Sequence, residues 1–492
     1  MSKKYILSVD QSTQGTKAML FDEQGRLTAR ADLPHRQIID EHGWVEHDPE
    51  EILRNTLQVC RNVIEQAAIE KSQVAAMGIS NQRETIAVWD RETGKPLHNA
   101  IVWQCARASE LCQNLSDHAE TVTHKTGLTL SPYFSASKLS WMIRNVPAVA
   151  QAQDRDALCC GTMDSWLVFH LTQERAHKTD YSNASRTQLM NIRELCWDRE
   201  LCALFGVKES ALPEICMSDA LYGHTNLGGF LDKSIPVCGV LGDSHGALLG
   251  QNCRNPGEVK ATYGTGSSVM MQTGETLYEN SNGLVTSLAW GLVGKVEYVL
   301  EGNLNYTGAV VSWMRDQACL IQKDSETEVL ANTANPDDKC YFVPAFTGLG
   351  APYWDSDATG MFTGITRTTG RAELVKAGLE SIGYQITDLL HLMSECTGMQ
   401  VAQLRVDGGP TVNQYLMQFQ SDIAGASLRV PNLQELSGFG AAIAAGLHIG
   451  LYQADALDAT ISHTYYQPAK DETWRVARYA GWKQAIRQVL NR

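Results

Sequence analysis

The sequence predicts an α/β protein of two tightly joined lobes with a cleft between them. Three observations carry that expectation. Short apolar strands and an amphipathic helix alternate in the first region, and a second strand–turn–strand set begins near Ile235. No Ser/Gly-rich linker separates the two halves, as expected of lobes that close on a ligand. At 492 residues the chain can bury two large cores without metal or disulfide staples.

The opening reads as a β-meander. Tyr5–Val9 is an apolar run, Gln11–Gly15 has turn chemistry, and Lys17–Phe21 is a second strand. Asp22-Glu23-Gln24-Gly25 then turns into a third strand, Leu27–Ala31. A helix follows, with Asp48 as its cap, Pro49 at its first position, and Ile52, Leu57, Val63 and Ile64 at roughly helical spacing. Val74–Ile79 and Ile86–Trp89 return to strand. In the second set, Val237–Leu241 ends in Gly242-Asp243-Ser244-His245-Gly246, and Lys260–Tyr263 leads through Gly264-Thr265-Gly266 into Val269–Met271. Both halves thus hold a tight polar turn between apolar strands, at Asp10–Lys17 and Tyr263–Ser268, without sequence identity between them. Helices are expected over Ala372–Cys396, Asn413–Ala424 and Gly440–Gly450. The boundary falls near Gly250–Gly257, which divides the chain into lobes 1–252 and 253–492.

Composition narrows the function. The chain is 43% hydrophobic and 20% charged, which excludes collagen-like and disordered classes. Its 41 basic and 55 acidic residues leave −14, with no dense Lys/Arg stretch, so nucleic acid is not an expected partner. An anion such as ATP needs a local site against that field. Thirteen Cys are scattered without a CxxC or a His pair at zinc spacing, which fits reduced thiols in a cytoplasmic protein. The run Tyr5–Val9 stops at Asp10, too short for a secretory signal, and no window of about 18 apolar residues predicts a membrane span.

The chemistry-bearing residues gather at strand ends. GxxxxGK[ST] is absent, as are the glycine loop, HRD and DFG of protein kinases. Three glycine-bearing turns remain: Asp10–Lys17 (DQSTQGTK), Gly264–Ser267 (GTGS) and Asp407–Pro410 (DGGP). Turn propensity alone explains each singly; together they suggest a nucleotide clamped between lobes. Asp10 and Asp243 both end apolar strands. One carboxylate suits hydrated Mg²⁺ and the other suits accepting a proton from a hydroxyl nucleophile, although either is also an ordinary cap or turn residue. Arg83 and Glu84 suit polyhydroxy recognition or a surface ion pair, and Trp103 and Tyr133 suit a cavity wall or a core. GxGxxG with a distant acidic residue is missing; Gly438-Phe439-Gly440-Ala441-Ala442 comes nearest and reads as close helix packing.

Longer motifs carry a resemblance. Asn81-Gln82-Arg83-Glu84-Thr85, Asn99–Cys105 (NAIVWQC), Val343–Trp354 (VPAFTGLGAPYW) and Arg405-Val406-Asp407-Gly408-Gly409 resemble glycerol kinases of the FGGY carbohydrate kinase family. Tyr133-x-Ser135-x-x-Lys138-Leu139-x-Trp141 resembles the family's first signature, and Gly360–Glu380 its second. Thr179–Arg186 and Arg478–Trp482 extend the likeness, which runs from about Tyr5 to Trp482. The resemblance implies a two-lobed actin/hexokinase-like (ribonuclease H-like) ATPase fold with ATP and Mg²⁺ in the central cleft. By motif match Asp243 would be the catalytic base, with Asp10 and Asp243 near the metal. Thr13, Gln14, Lys17, Thr265, Gly308, Gly409 and Asn413 would line the nucleotide site. Arg83, Glu84, Trp103, Tyr133, Asp243, Ser244 and Ser268 would face the acceptor, a small polyol or sugar. The expected assembly is a homodimer or homotetramer.

Departures point to the substrate. Glycerol kinases read GDQ where this chain has Gly242-Asp243-Ser244, and carry an aromatic where Ser268 stands. Their phosphate turn DQGTTSSR is Asp10–Lys17 here, with Lys17 replacing Arg. The two Ser changes predict a wider, more polar acceptor pocket, in which extra hydroxyls would meet Ser244, His245 and Ser268. Two alternatives stay open: glycerol itself, with water filling the space, and a non-catalytic sugar-binding or regulatory protein on the same scaffold.

Overall fold

In a computed structural model of the protein, residues 3–279, 283–453, 457–458 and 460–490 are described. The predicted meander forms: Tyr5–Gln11, Gly15–Asp22 and Leu27–Pro34 pair antiparallel in succession. Tyr5–Gln11 also runs parallel to Val74–Asn81, which runs parallel to Ile235–Gly242. Gly223–Thr225 closes the edge of this six-stranded sheet. All seven residues of Tyr5–Gln11 are buried, because a helix covers each face of the strand. On one face Leu7, Val9, Met77 and Ile79 share a core with Ile52, Val59 and Val63 of the helix Pro49–Gln66. Asp48 caps that helix by accepting the Glu50 N–H at 2.8 Å. On the other face Ile6, Met19, Phe21 and Cys238 pack against Phe439, Ala442 and Ala445 of the helix Leu436–His448.

The second large sheet is ordered Val285–Leu292, Lys295–Leu304, Ser267–Gly274, Val259–Tyr263, Gln403–Asp407, Ser427–Pro431, His463–Tyr466. From Lys295–Leu304 onward its pairings repeat those of the first sheet: two antiparallel, two parallel, one antiparallel. The echo between the two polar turns is therefore a repeat of topology. One face of this sheet, with Val259, Ala261, Val269, Met271 and Leu300, buries against Ile382, Ile386 and Leu389 of the helix Arg371–Thr397. Period-2 alternation turns Lys260, Thr262, Ser268, Glu301 and Asn303 the other way, toward the first lobe.

Two expectations shift. Ile86–Asp90 belongs to a separate five-stranded sheet beside the first, where it pairs with Leu158–Thr162 and Ala100–Ile101. The helix expected over Gly440–Gly450 spans Leu436–His448, because its glycines are contact points rather than breakers. A Cβ on Gly440 would lie 2.0 Å from the Gly246 carbonyl oxygen, and one on Gly78 2.4 Å from that of Ala441. Among the described residues no helix is long and apolar enough to cross a membrane, and no group of three His, Cys, Asp or Glu could hold a metal ion.

Candidate active site

Three parallel strands deliver their carboxyl ends to one edge of the first sheet, where open α/β sheets place their ligands. Asp10 lies opposite Ser80, and Ser80 opposite Leu241, so Asp10, Arg83, Glu84 and Asp243 emerge together. Asp243 starts the helix Asp243–Gly250. Arg83, only 5% exposed, reaches Asp243 with Nε at 3.2 Å and donates both terminal nitrogens to Glu301 at 3.0 and 3.1 Å. Glu301 comes from the second lobe and is fully buried. It also accepts from the Ser268 hydroxyl at 2.9 Å and pairs with Arg186 at 2.9 Å, while Arg186 Nε donates to Glu84 at 2.8 Å. Burial would lift the Glu301 carboxyl, but Arg186 and Arg83 hold it well below the ordinary range. Two guanidinium groups thus face three carboxylates, and of the three only the Asp243 side chain keeps substantial exposure, 37%.

An aromatic wall stands beside this cluster. Trp103 and Tyr133 lie 5.4 Å apart, centroid to centroid. Their placement depends on buried polar ties. The Trp103 indole N–H donates to the Thr13 hydroxyl at 2.9 Å, linking the wall to the first polar turn. Lys138 is fully buried and donates to the carbonyls of Pro132 (2.5 Å), Tyr133 (2.5 Å) and Phe134 (3.1 Å), which fixes the backbone that carries Tyr133.

Asp10 accepts the Ser80 hydroxyl at 3.0 Å, and burial, reinforced by Asp243 and Glu435, pushes its carboxyl up to about 6. On the same turn Gln14 is exposed, and Lys17 pairs with Glu435 at 2.9 Å. In the second lobe the Gly308 N–H donates to the Gly264 carbonyl at 2.9 Å and the Ala309 N–H to that of Thr265 at 3.0 Å, so Thr265 and Gly308 are neighbours. Gly408, at φ +99°, passes so close to Tyr263 that a Cβ would meet its carbonyl at 2.0 Å. Gly409 has open space about it, and Asn413 caps the helix Gln414–Ala424 while donating to Thr327 at 3.1 Å.

The structure therefore gathers Arg83, Glu84, Asp243 and Ser268 into one cluster and Thr13, Trp103 and Tyr133 into an adjoining wall. One expectation is corrected: His245 is fully buried with Nε2 3.3 Å from the Ser287 hydroxyl, so it is turned into the protein and not toward an acceptor. Ser268 does reach the cleft face, but its hydroxyl already serves Glu301. Glu301 escaped the sequence reading because it sits inside the strand Lys295–Leu304, and the arginines that pair with it come from far earlier in the chain. Arg186 and Lys138 stood inside quoted motifs without a role; a charged residue in an otherwise small or apolar stretch was their signal.

Comparison with known proteins extends the picture over the whole chain. Sequence models of the FGGY family of carbohydrate kinases match residues 5–250 with the N-terminal domain and residues 259–449 with the C-terminal domain. Glycerol kinase 1 of Thermotoga maritima is 44% identical over 491 residues, covering 99% of each chain. Glycerol kinase of Symbiobacterium thermophilum is 44% identical over 493 residues, again covering 99% of each. Among solved structures, Plasmodium falciparum glycerol kinase with ADP superposes with a TM-score of 0.93 at 36% identity, covering 99% of this chain and 98% of that one. A xylulose kinase from Lactobacillus acidophilus shares the fold, with a TM-score of 0.87 at 22% identity over 99% of this chain and 97% of the other.

Proposed function

The chain belongs to the FGGY family of carbohydrate kinases and is a phosphotransferase with an alcohol group as acceptor; from that premise we propose that it moves the γ-phosphoryl group of ATP to a terminal hydroxyl of a small polyol or sugar longer than glycerol. The observation that carries the chemistry is the Asp243 carboxylate, held by Arg83 Nε at 3.2 Å yet still 37% exposed in an otherwise buried ionic cluster. Arg83 keeps its ionised form oriented, so Asp243 takes the proton of the acceptor hydroxyl as the new O–P bond forms and the bond to the ADP oxygen breaks. Arg83 and Glu84 hold neighbouring hydroxyls, while Trp103 and Tyr133 cover the carbon chain and exclude water.

The donor set fits Mg²⁺, which takes one or two carboxylates together with substrate phosphates and keeps several waters. Asp10 faces Lys17 across the first two strands, but Lys17 is also engaged by Glu435 at 2.9 Å, and burial outweighs the Lys17 charge and leaves the Asp10 carboxyl raised to about 6. Asp10, with Asp243 near it, would hold the ion, which when bound would offset phosphate charge. Thr13, Gln14 and Lys17 on one lobe and Thr265, Gly308, Gly409 and Asn413 on the other line the path for the nucleotide. Small residues there let backbone N–H groups approach phosphates.

The longer acceptor is supported by Ser244 and Ser268, small hydroxyl residues where glycerol kinases carry Gln and an aromatic. The full-length likeness to glycerol kinases favours a second reading, glycerol itself. The test of the chemistry is Asp243→Asn: Arg83 keeps both bonds to Glu301, so the variant folds and binds ATP, while ADP release with acceptor falls roughly 10²–10⁴-fold. Turnover within a few-fold of wild type would remove Asp243 from the mechanism.

A further inference from the structure

Behind the ionic cluster the strand Lys178–Asp180 turns into a one-turn helix, Tyr181–Ala184, and Asp180, Ser182, Asn183 and Ser185 are all buried. Buried polar groups are costly unless bonded, so their partners show what the segment holds in place. Asp180 accepts the backbone N–H groups of Ser182 and Asn183, each at 2.9 Å. It also accepts the Ser182 hydroxyl at 3.0 Å, the Asn183 amide at 2.8 Å and the Ser218 hydroxyl at 2.7 Å. A carboxylate only accepts, so the Ser182 proton points at Asp180 and the lone pairs of its oxygen are free to face elsewhere. They receive the Gly242 N–H at 2.9 Å. Asn183 meanwhile exchanges amide hydrogen bonds with Asn81 at 2.9 and 3.1 Å, and Asn81 lies opposite Gly242 in the sheet. One buried turn therefore grips the ends of both strands that lead into Arg83 and Asp243.

We propose that Asp180 and Ser182 are positioning residues for proton transfer, a role that rests on Asp243 being the base. Asp180 orients the Ser182 hydroxyl, and that hydroxyl fixes Gly242, the residue from which the Asp243 helix starts. Gly242 has no side chain with which to brace itself. Its backbone lies directly under Arg83, where an added Cβ would come within 2.5 Å of the Arg83 Cγ. Arg83 is held from the far side by its two bonds to Glu301, so loosening Gly242 displaces Asp243 rather than Arg83. A misplacement of about 1 Å at a reacting group is enough to cost up to about a hundredfold in rate. The same turn supplies a control. Ser185 is equally buried, and its hydroxyl accepts the Leu288 N–H at 3.1 Å while donating to the Ser182 carbonyl at 3.1 Å. Ser185→Ala thus removes a comparable bond to a backbone N–H, in a strand of the second sheet and not at Gly242.

The experiment measures urea midpoints, and kcat and KM with the preferred acceptor, for Ser182→Ala, Ser185→Ala, Asp243→Asn and the double variant Ser182→Ala/Asp243→Asn. Both alanine variants should lose similar stability. Only Ser182→Ala should lose kcat, by about 10- to 100-fold, with the acceptor KM within about twofold of wild type. In the Asp243→Asn background Ser182→Ala should change kcat less than about twofold, because no base remains to be misplaced. The role of Ser182 is overturned if kcat stays at the wild-type value, if Ser185→Ala loses as much, or if the loss is undiminished beside Asp243→Asn. Should Ser182→Ala not fold, Ser182→Cys fills the same space with a weak acceptor, and the same outcomes decide. If Asp243→Asn alone keeps turnover within a few-fold of wild type, the base itself is misassigned and the positioning role falls with it.

Discussion

Asp10, the carboxylate proposed to hold the metal, shows how such a residue opposes folding. Its carboxyl in the folded protein keeps its proton up to about pH 6, against 3.8 as the ordinary value, because burial and the neighbouring Asp243 and Glu435 disfavour the charge. A group whose folded pKa is raised gives stability that is present below about pH 4 and lost as pH rises through 6. Without metal, Asp10→Asn should therefore be more stable than wild type by up to about 3 kcal/mol above pH 6, since each pKa unit is worth about 1.4 kcal/mol. The Asn side-chain oxygen still accepts from Ser80. Calorimetry in a chelating buffer at several pH values checks it: the gap should open between pH 4 and 6. A wild type that is the more stable of the two at pH 7.5 contradicts the picture. Residues of this kind were the most legible part of the site, because Asp10, Asp243 and Thr13 stand at turn positions after apolar runs. Glu301, Arg186 and Lys138 were not, since their partners are 218, 102 and up to six residues away and only the fold brings the distant ones together.

Among the elements, the crossing of Leu436–His448 with Asp243–Gly250 sets the height of Asp243 above the sheet. The two helices meet backbone to backbone: a Cβ on Gly440 would lie 2.0 Å from the Gly246 carbonyl, and one on Gly250 2.3 Å from that of Leu436. The same helix rests on Gly78 and Gly239 of the sheet below. Gly440→Ala forces the helices apart and should cost about 1–3 kcal/mol. It should also lower kcat, because Gly246 belongs to the helix that begins with Asp243. Urea denaturation and turnover of the same preparation check both, and an unchanged midpoint would contradict the close crossing. The glycine run at 438–440 was legible as close packing but not as helix interior, because intrinsic propensity disfavours Gly there and only the tertiary contact reverses that preference. The meander, the capped helix Pro49–Gln66 and the long helix Arg371–Thr397 were legible to within a few residues, their apolar periodicity being uninterrupted.

At the scale of the whole molecule, two sheets of matching topology face each other through an ionic cluster drawn from both. Arg83 and Arg186 of one lobe meet Glu301 of the other, and a helix late in the chain, Leu436–His448, returns to cover the first sheet. The repeat of topology was only half legible: the two polar turns marked it, while the two halves share no sequence identity that would show it. The proposed reading sets the acceptor's length within this cleft, beside Ser244 and Ser268. The most direct test is a competition in one vessel. Equal concentrations of glycerol and of four- and five-carbon polyols and ketoses are mixed with limiting ATP, and the phosphorylated products are quantified by mass spectrometry. Product ratios in such a mixture report ratios of kcat/KM alone. One or two added hydrogen bonds predict that a single four- or five-carbon phosphate exceeds glycerol phosphate by about tenfold. Glycerol phosphate as the major product would contradict the account.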